Sequence, residues 1–169
     1  TALEFGNDTP SIAAFDVTEL VHDLINSSGI LIQQNAAKVS VDMPETLVVM
    51  GDEFKIEEVV TNYLTNAMNH LGGDHNIRIW SETLDGVAKI HVYNNGTPIP
   101  EEDLPNLWTK FYKVDKARTR AYGGSGIGLS IVKAIMEAHH QQYGVVNHED
   151  GVEFWFTLAL ASEKPEEEE

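Results

Sequence analysis

The sequence predicts an α+β two-layer sandwich, a mixed sheet of about five strands with three helices on one face. Three observations carry this prediction. Three stretches place apolar residues on one side at helical spacing. Five or six shorter stretches alternate apolar and polar residues, and at least two pairs of them are joined by turn signals, which makes antiparallel hairpins. Helices and strands do not follow one another in strict β-α-β-α order, so a doubly wound parallel fold is set aside.

The elements follow in order. Residues 1–15 read as a lead-in, broken by Gly6, Asn7, Asp8 and Pro10. Asp16, with Glu19 three residues later, forms a capping box. Val17, Leu20, Val21, Leu24 and Ile25 then predict a helix over 17–35 with one buried face. Val39 and Val41, then Leu47 to Met50, read as two short strands split by a turn around Pro44. Asp52 caps a second helix that runs to about His70 with the stripe Ile56, Val59, Val60, Tyr63, Leu64, Ala67 and Leu71, and Gly72-Gly73 ends it. Ile77 to Thr83 and Val87 to Tyr93 form a hairpin around Asp85-Gly86. Residues 94–125 are weakly periodic, and a connection this long is usually functional or mobile. A third helix spans 127–138, followed by a strand at 142–147 and a cleanly alternating one from Val152 to Leu160. The domain is bounded at 16–161, and 162–169 is an acidic tail.

Composition narrows the function. The 169 residues are 42% hydrophobic and 22% charged, which allows a sizeable core and excludes wholesale disorder. Eleven Lys and Arg face 27 Asp and Glu, a net charge of -16. Such a surface repels phosphate backbones and anionic lipid, so neither nucleic acid nor a membrane surface is an expected partner. Cysteine is absent, which removes disulfides, thiolate nucleophiles and cysteine-ligated metal. No apolar run approaches the 18 residues of a membrane helix.

Four local features carry candidate chemistry. Asn62, Asn66, Asn69 and His70, with Glu58 one turn earlier, share one face of the second helix, opposite the apolar stripe. Such a row reads either as a solvated face or as hard oxygen and amide groups set toward a ligand, where an Asn oxygen can hold Mg²⁺ while phosphates complete its shell. Gly123 to Ser130 (GGSGIGLS) opens the third helix. It reads either as a closely packed helix start or as a turn whose N–H groups approach an anion. Lys110, Lys113, Lys116, Arg118 and Arg120 put five of the 11 cationic residues just before it, in outline a polyphosphate site. Asn94-Asn95-Gly96-Thr97-Pro98-Ile99-Pro100 ends a strand. It reads either as a permissive turn or as a side chain reading a base edge over an apolar floor from Ile99.

The order of these motifs resembles sensor histidine kinases. Asp52…Asn62-Tyr-Leu-Thr-Asn66-Ala67, Val92-Tyr-Asn94-Asn-Gly96-Thr-Pro98-Ile99, Leu107-Trp-Thr-Lys-Phe111-Tyr112-Lys113-Val-Asp115 and Gly123-Gly-Ser-Gly-Ile-Gly-Leu129 are similar to the N box, first glycine box, Phe box and second glycine box of the catalytic, ATP-binding domain. The resemblance runs from about Phe15 to Leu160 and implies the Bergerat α/β sandwich, with ATP and Mg²⁺ as ligands. It implies that Asn66 holds Mg²⁺ with ATP phosphates, with Asn62 as a further candidate, and that His70 lies beside the nucleotide. Asn94 takes the place of the residue that reads the adenine amino group, and Gly96 and Ile99 frame the base. Tyr112 and Lys113 match residues that pack against the nucleotide and reach its phosphates, Phe111 and Arg118 are further nucleotide-binding candidates, and residues 113–125 are expected to form a mobile lid that orders when nucleotide binds. Gly124, Ser125, Gly126, Ile127, Gly128 and Leu129 match the turn that wraps the phosphates.

Departures from the pattern sharpen the expectations. Asn94 stands where Asp is usual and accepts without charge assistance, which points to weaker ATP affinity. Asn69 replaces a Lys or Arg and removes a phosphate contact. His140-Gln141 stands where glycines are usual, so a non-glycine residue is expected in a left-handed helix cap. His22-Asp23-Leu24-Ile25-Asn26 resembles the start of the acceptor-histidine motif, but no proline follows and too few residues precede Asp52 for a two-helix hairpin. The acceptor histidine is therefore expected on a dimerisation domain outside this chain, with a response regulator engaged through that domain. ATP-hydrolysing members of this superfold carry a Glu base where Asn62 stands, and an amide cannot take a proton, which favours phosphoryl transfer over hydrolysis. The resemblance implies a cytoplasmic domain of a membrane-anchored bacterial sensor. A non-catalytic nucleotide-sensing module and an anti-sigma-type Ser/Thr kinase are the alternatives.

Overall fold

The computed structural model describes residues 9–110 and 128–161. Its strands are β1 (Ala13–Asp16), β2 (Lys38–Asp42), β3 (Val48–Gly51), β4 (Asn76–Leu84), β5 (Val87–Asn95), β6 (Tyr143–His148) and β7 (Gly151–Leu160). Its helices are α1 (Val17–Ser27), α2 (Gly29–Gln34), α3 (Glu53–Asn69) and α4 (Gly128–Ala138), with a 3₁₀ turn at Glu101–Asn106. The seven strands form one mixed sheet ordered β1-β3-β7-β5-β4-β2, and β6 also pairs with β7. Only β2 with β4 is parallel among these pairs. Along β7, β5 covers one edge, while β3 and β6 share the other.

The alternation read from the sequence sets the two sheet faces. Ile77, Ile79, Ala88, Ile90, Val92, Phe154, Phe156 and Leu158 point to the helices and are buried with the α3 stripe and with Val132, Ile135 and Met136 of α4. Tyr63 of α3 is fully buried, and its hydroxyl donates to Trp155 O at 3.0 Å, which removes the cost of a stranded polar group. On the opposite face Trp80 stacks on His91 at 4.6 Å, Lys89 sits over Trp155 at 4.1 Å and Arg78 over Tyr93 at 5.2 Å. Glu153 lies between His91 and His148 on that face. Burial pushes the Glu153 carboxyl up, but hydrogen bonds and charge from the two histidines outweigh it and hold the group below its ordinary value.

The caps at Asp16 and Asp52 form as the sequence predicts. Asp16 accepts from the N–H groups of Thr18 and Leu47 at 3.0 Å each, and Asp52 from those of Ser11 at 2.9 Å and Lys55 at 3.3 Å. The hairpin at Asp85-Gly86 is also as expected, both residues taking positive φ (53° and 79°). The left-handed cap after α4 is present too. His140 has φ 57°, its N–H reaches Glu137 O, and the Gln141 N–H reaches Met136 O, the two bonds of a Schellman ending.

Three features differ from the sequence reading. The helix predicted over 17–35 breaks into α1 and α2 at Ser28. The Ser27-Ser28-Gly29 run is poor in helix propensity, and Ser27 Oγ turns back to Leu24 O at 3.1 Å. Ala13–Asp16, inside the expected lead-in, pairs antiparallel with β3 and buries Phe15. A strand of 4 residues is too short to show a period of its own. With β1 and β2 at its edges the sheet has seven strands, where the sequence suggested about five.

Candidate nucleotide site

The site is set by how α3 and α4 lie. Their order along the chain and the apolar faces they share make them neighbours over the sheet, and two contacts fix them antiparallel. At one end His139, just past α4, accepts from the Asp52 N–H through Nε2 at 3.0 Å. Its Nδ1 faces Ile135 O at 2.8 Å, so Nδ1 carries the proton and the imidazole is neutral in this arrangement. At the other end Gly128 opens α4 against Asn62. A β-carbon at 128 would lie 3.0 Å from Asn62 Oδ1, closer than ordinary packing allows. The missing side chain thus leaves room at the carboxamide.

Asn62, Asn66, Asn69 and His70 are all half-buried along this stretch of α3 and its cap, whereas Glu58, one turn earlier, is exposed. The face is therefore not fully solvated beyond Glu58. It leads to the end of β5. There Asn94 is 2% exposed, and its Nδ2 donates to Asn95 O at 2.9 Å and to His70 O at 3.4 Å. An amide nitrogen placed between two carbonyl oxygens fixes the flip of the group, and Oδ1 is left as its acceptor. Gly96 comes so close to α3's cap that a β-carbon there would meet His70 O at 2.4 Å. The Gly72 N–H donates to Asn95 O at 2.9 Å, and the Gly96 N–H to Asp150 O at 3.0 Å.

The structure thus brings Asn62, Asn66, Asn69, His70, Asn94, Gly96 and Gly128 to one junction of α3, α4 and β5. Ile99 and Leu129 are partly buried and pack against the core. Phe111, Tyr112, Lys113, Arg118, Gly124, Ser125, Gly126 and Ile127 lie outside the described residues, as does the expected lid over 113–125. Sequence reasoning missed Asn95, whose Oδ1 accepts from the Asn76 N–H at 2.9 Å and whose Nδ2 donates to Tyr93 OH at 3.0 Å. It also missed Asn147, which bonds the backbone of Ile99. The Asn-Asn-Gly string could have pointed to Asn95; nothing local marks Asn147.

A polar α3 face, a buried strand-end carboxamide and a glycine-opened helix thus meet in one α+β domain. The profile of the histidine kinase-, DNA gyrase B- and HSP90-like ATPases matches residues 51–162, and the chain belongs to that family. It is an ATP-binding catalytic domain of the sensor histidine kinase kind. The sensor protein VanSB of Enterococcus faecalis is 32% identical over 161 residues, covering 95% of this chain and 36% of VanSB. The chain therefore spans about a third of that relative. The catalytic domain of the histidine kinase ThkA superimposes with a TM-score of 0.79 at 26% identity, covering 89% of this chain and 96% of the other. ThkA in complex with the response regulator protein TrrA gives a TM-score of 0.75 at 28% identity, covering 90% and 43%. Among the described residues no helix is long and apolar enough to cross a membrane.

Proposed function

We propose that this domain binds Mg²⁺-ATP at the α3–α4–β5 junction and passes the γ-phosphoryl group to a histidine on a dimerisation domain of the same protein. The observation that carries this reading is the meeting of the asparagine face with Gly128 at one end and Asn94 at the other. Asn94 Oδ1 accepts from the adenine amino group, and Ile99 supports the base. The phosphates run toward Gly128, where the positive end of α4 faces them. Asn66, with Asn62 one turn earlier, would hold Mg²⁺, whose contribution is to neutralise phosphate charge. An asparagine oxygen is a hard ligand, and the absence of a side chain at 128 leaves its neighbour Asn62 uncrowded, so the donor set fits the ion.

The acceptor imidazole nitrogen bonds to the γ-phosphorus as the bond to the β–γ bridging oxygen breaks, giving phosphohistidine and ADP. The domain's part is positioning and charge stabilisation. Asn62 offers no base to a water molecule, so hydrolysis is slow. The parent protein is a membrane-anchored bacterial sensor with this domain in the cytoplasm, and a response regulator takes the phosphoryl group from the dimerisation domain. The similarity to ThkA, solved with TrrA, supports that partner. In this reading the residues before β1 lead in from the dimerisation domain, the catalytic domain runs from β1 to residue 161, and 162–169 are the acidic tail.

A second reading, a nucleotide-sensing module without transfer, is favoured by the neutral Asn94 and Asn69. One assay separates the two. Radiolabelled ATP is given to the chain alone and then with the cognate dimerisation domain added in trans. Acid-labile label on the added domain supports the kinase. Nucleotide binding without transfer supports the sensing module, and rapid phosphate release by the chain alone contradicts both.

A further inference from the structure

Three strands set the frame. The register of β5, β7 and β6 places Asn94, Val152 and Asn147 in one row across the sheet, all on the helix-facing side. The chain leaving β5 crosses this row. Gly96 is held at the start of β7 by the Asp150 carbonyl at 3.0 Å. Among the described residues, the Ile99 backbone is held at β6 by Asn147, twice over. Asn147 Nδ2 donates to Ile99 O at 2.8 Å, and the Ile99 N–H donates to Asn147 Oδ1 at 3.0 Å.

The local sequence explains why this clamp has to come from elsewhere. Ile99 stands between Pro98 and Pro100, neither of which has an N–H. The Ile99 N–H is thus the one backbone donor of this tripeptide, and it is spent on Asn147. The carboxamide acts as a neighbouring strand would, pairing both backbone groups of one residue. We propose that Asn147 is a positioning residue for the adenine end of the site: by fixing the Ile99 backbone it sets the height of the base above the sheet, and hence whether the adenine amino group meets Asn94 Oδ1. This rests on the nucleotide-binding reading above.

The test compares ADP with GDP, because guanine carries a carbonyl where adenine carries the amino group and gains no bond from Asn94 Oδ1. Dissociation constants of both are measured by calorimetry and competition on the 169-residue chain and on Asn147→Ala, with thermal unfolding of each. Loss of two ordinary hydrogen bonds, partly replaced by water, corresponds to about tenfold weaker ADP binding. GDP binding should change by less than about twofold on the same reasoning, so the preference for ADP falls. Asn147→Asp keeps the acceptor and the volume but loses the donor. It is expected to weaken ADP by about threefold, and it carries the same comparison if Asn147→Ala fails to fold. Equal weakening of both nucleotides, or of neither, overturns the proposal. A wild-type chain that binds neither nucleotide overturns the nucleotide-binding reading itself, a failure visible before any variant is made.

Discussion

Replacing Asn94 with Asp puts the residue usual in sensor kinases into a site that uses the amide. In this chain Nδ2 donates to Asn95 O at 2.9 Å and to His70 O at 3.4 Å, and the side chain is 2% exposed. A carboxylate has no donor for either carbonyl, so the substitution turns one good bond and one long bond into oxygen facing oxygen. Asn95 O keeps the Gly72 N–H as a donor at 2.9 Å, so the cost is the lost amide bond and a buried carboxylate set against two carbonyl oxygens, about 2 kcal/mol at pH 7. At this chain length that lowers the melting temperature by about 4–8 °C. The deficit has a pH signature. The new carboxyl is buried beside two carbonyls, so its neutral form is favoured and its folded pKa lies above its unfolded one. Protonation supplies one O–H donor for Asn95 O, and the deficit shrinks as pH falls through that raised value. Urea unfolding of both chains at pH 7 and pH 5 measures this. Meanwhile Mg²⁺-ATP should bind more tightly, because a charged acceptor strengthens the bond from the adenine amino group. Equal stability of the two chains at pH 7, with no change in the difference at pH 5, would refute the reasoning.

Three further outcomes follow from the same structure. Asn66→Ala should weaken Mg²⁺-nucleotide binding by about tenfold or more with the circular dichroism spectrum unchanged, since Asn66 is off the apolar stripe; an unfolded variant would show a packing role instead. Glu153, held below its ordinary value of 4.5 by His91 and His148, lends stability that is present above that value and lost as pH falls through the lower folded one. The stability gap between wild type and Glu153→Gln, read by urea unfolding, should therefore be larger at pH 7 than at pH 3.5. His140→Gly removes a left-handed strain of about 1–2 kcal/mol at the cost of about 0.4–1 kcal/mol of unfolded-chain freedom, so a net gain of about 0.5 kcal/mol in thermal or urea unfolding is expected.

Much of this fold could be read from the chain because its signals are long and local. The 17 residues of α3 carry nearly five turns of apolar stripe between an Asp cap and a Gly-Gly stop, and β4, β5 and β7 alternate over 9 or 10 residues each. What escaped was short or non-local. β1 has 4 residues and gains its meaning only from β3. The break at Ser28 rests on a weak propensity that an apolar pattern overrode. The candidate site divides in the same way. Asn62, Asn66, Asn94 and Gly96 sit in strings whose order resembles a family. Asn147 lies 48 residues from Ile99, and only the β5–β7–β6 register brings the two together. The reason glycine is needed at 96 is also non-local, since the carbonyl it would strike belongs to His70.

Titration of the chain with a non-hydrolysable ATP analogue, with and without Mg²⁺, tests the central claim most directly. Saturable heat is expected, with tighter binding in the presence of Mg²⁺, a raised melting temperature and slower hydrogen exchange along α3 and the end of β5. No heat and no thermal shift at millimolar analogue would contradict it.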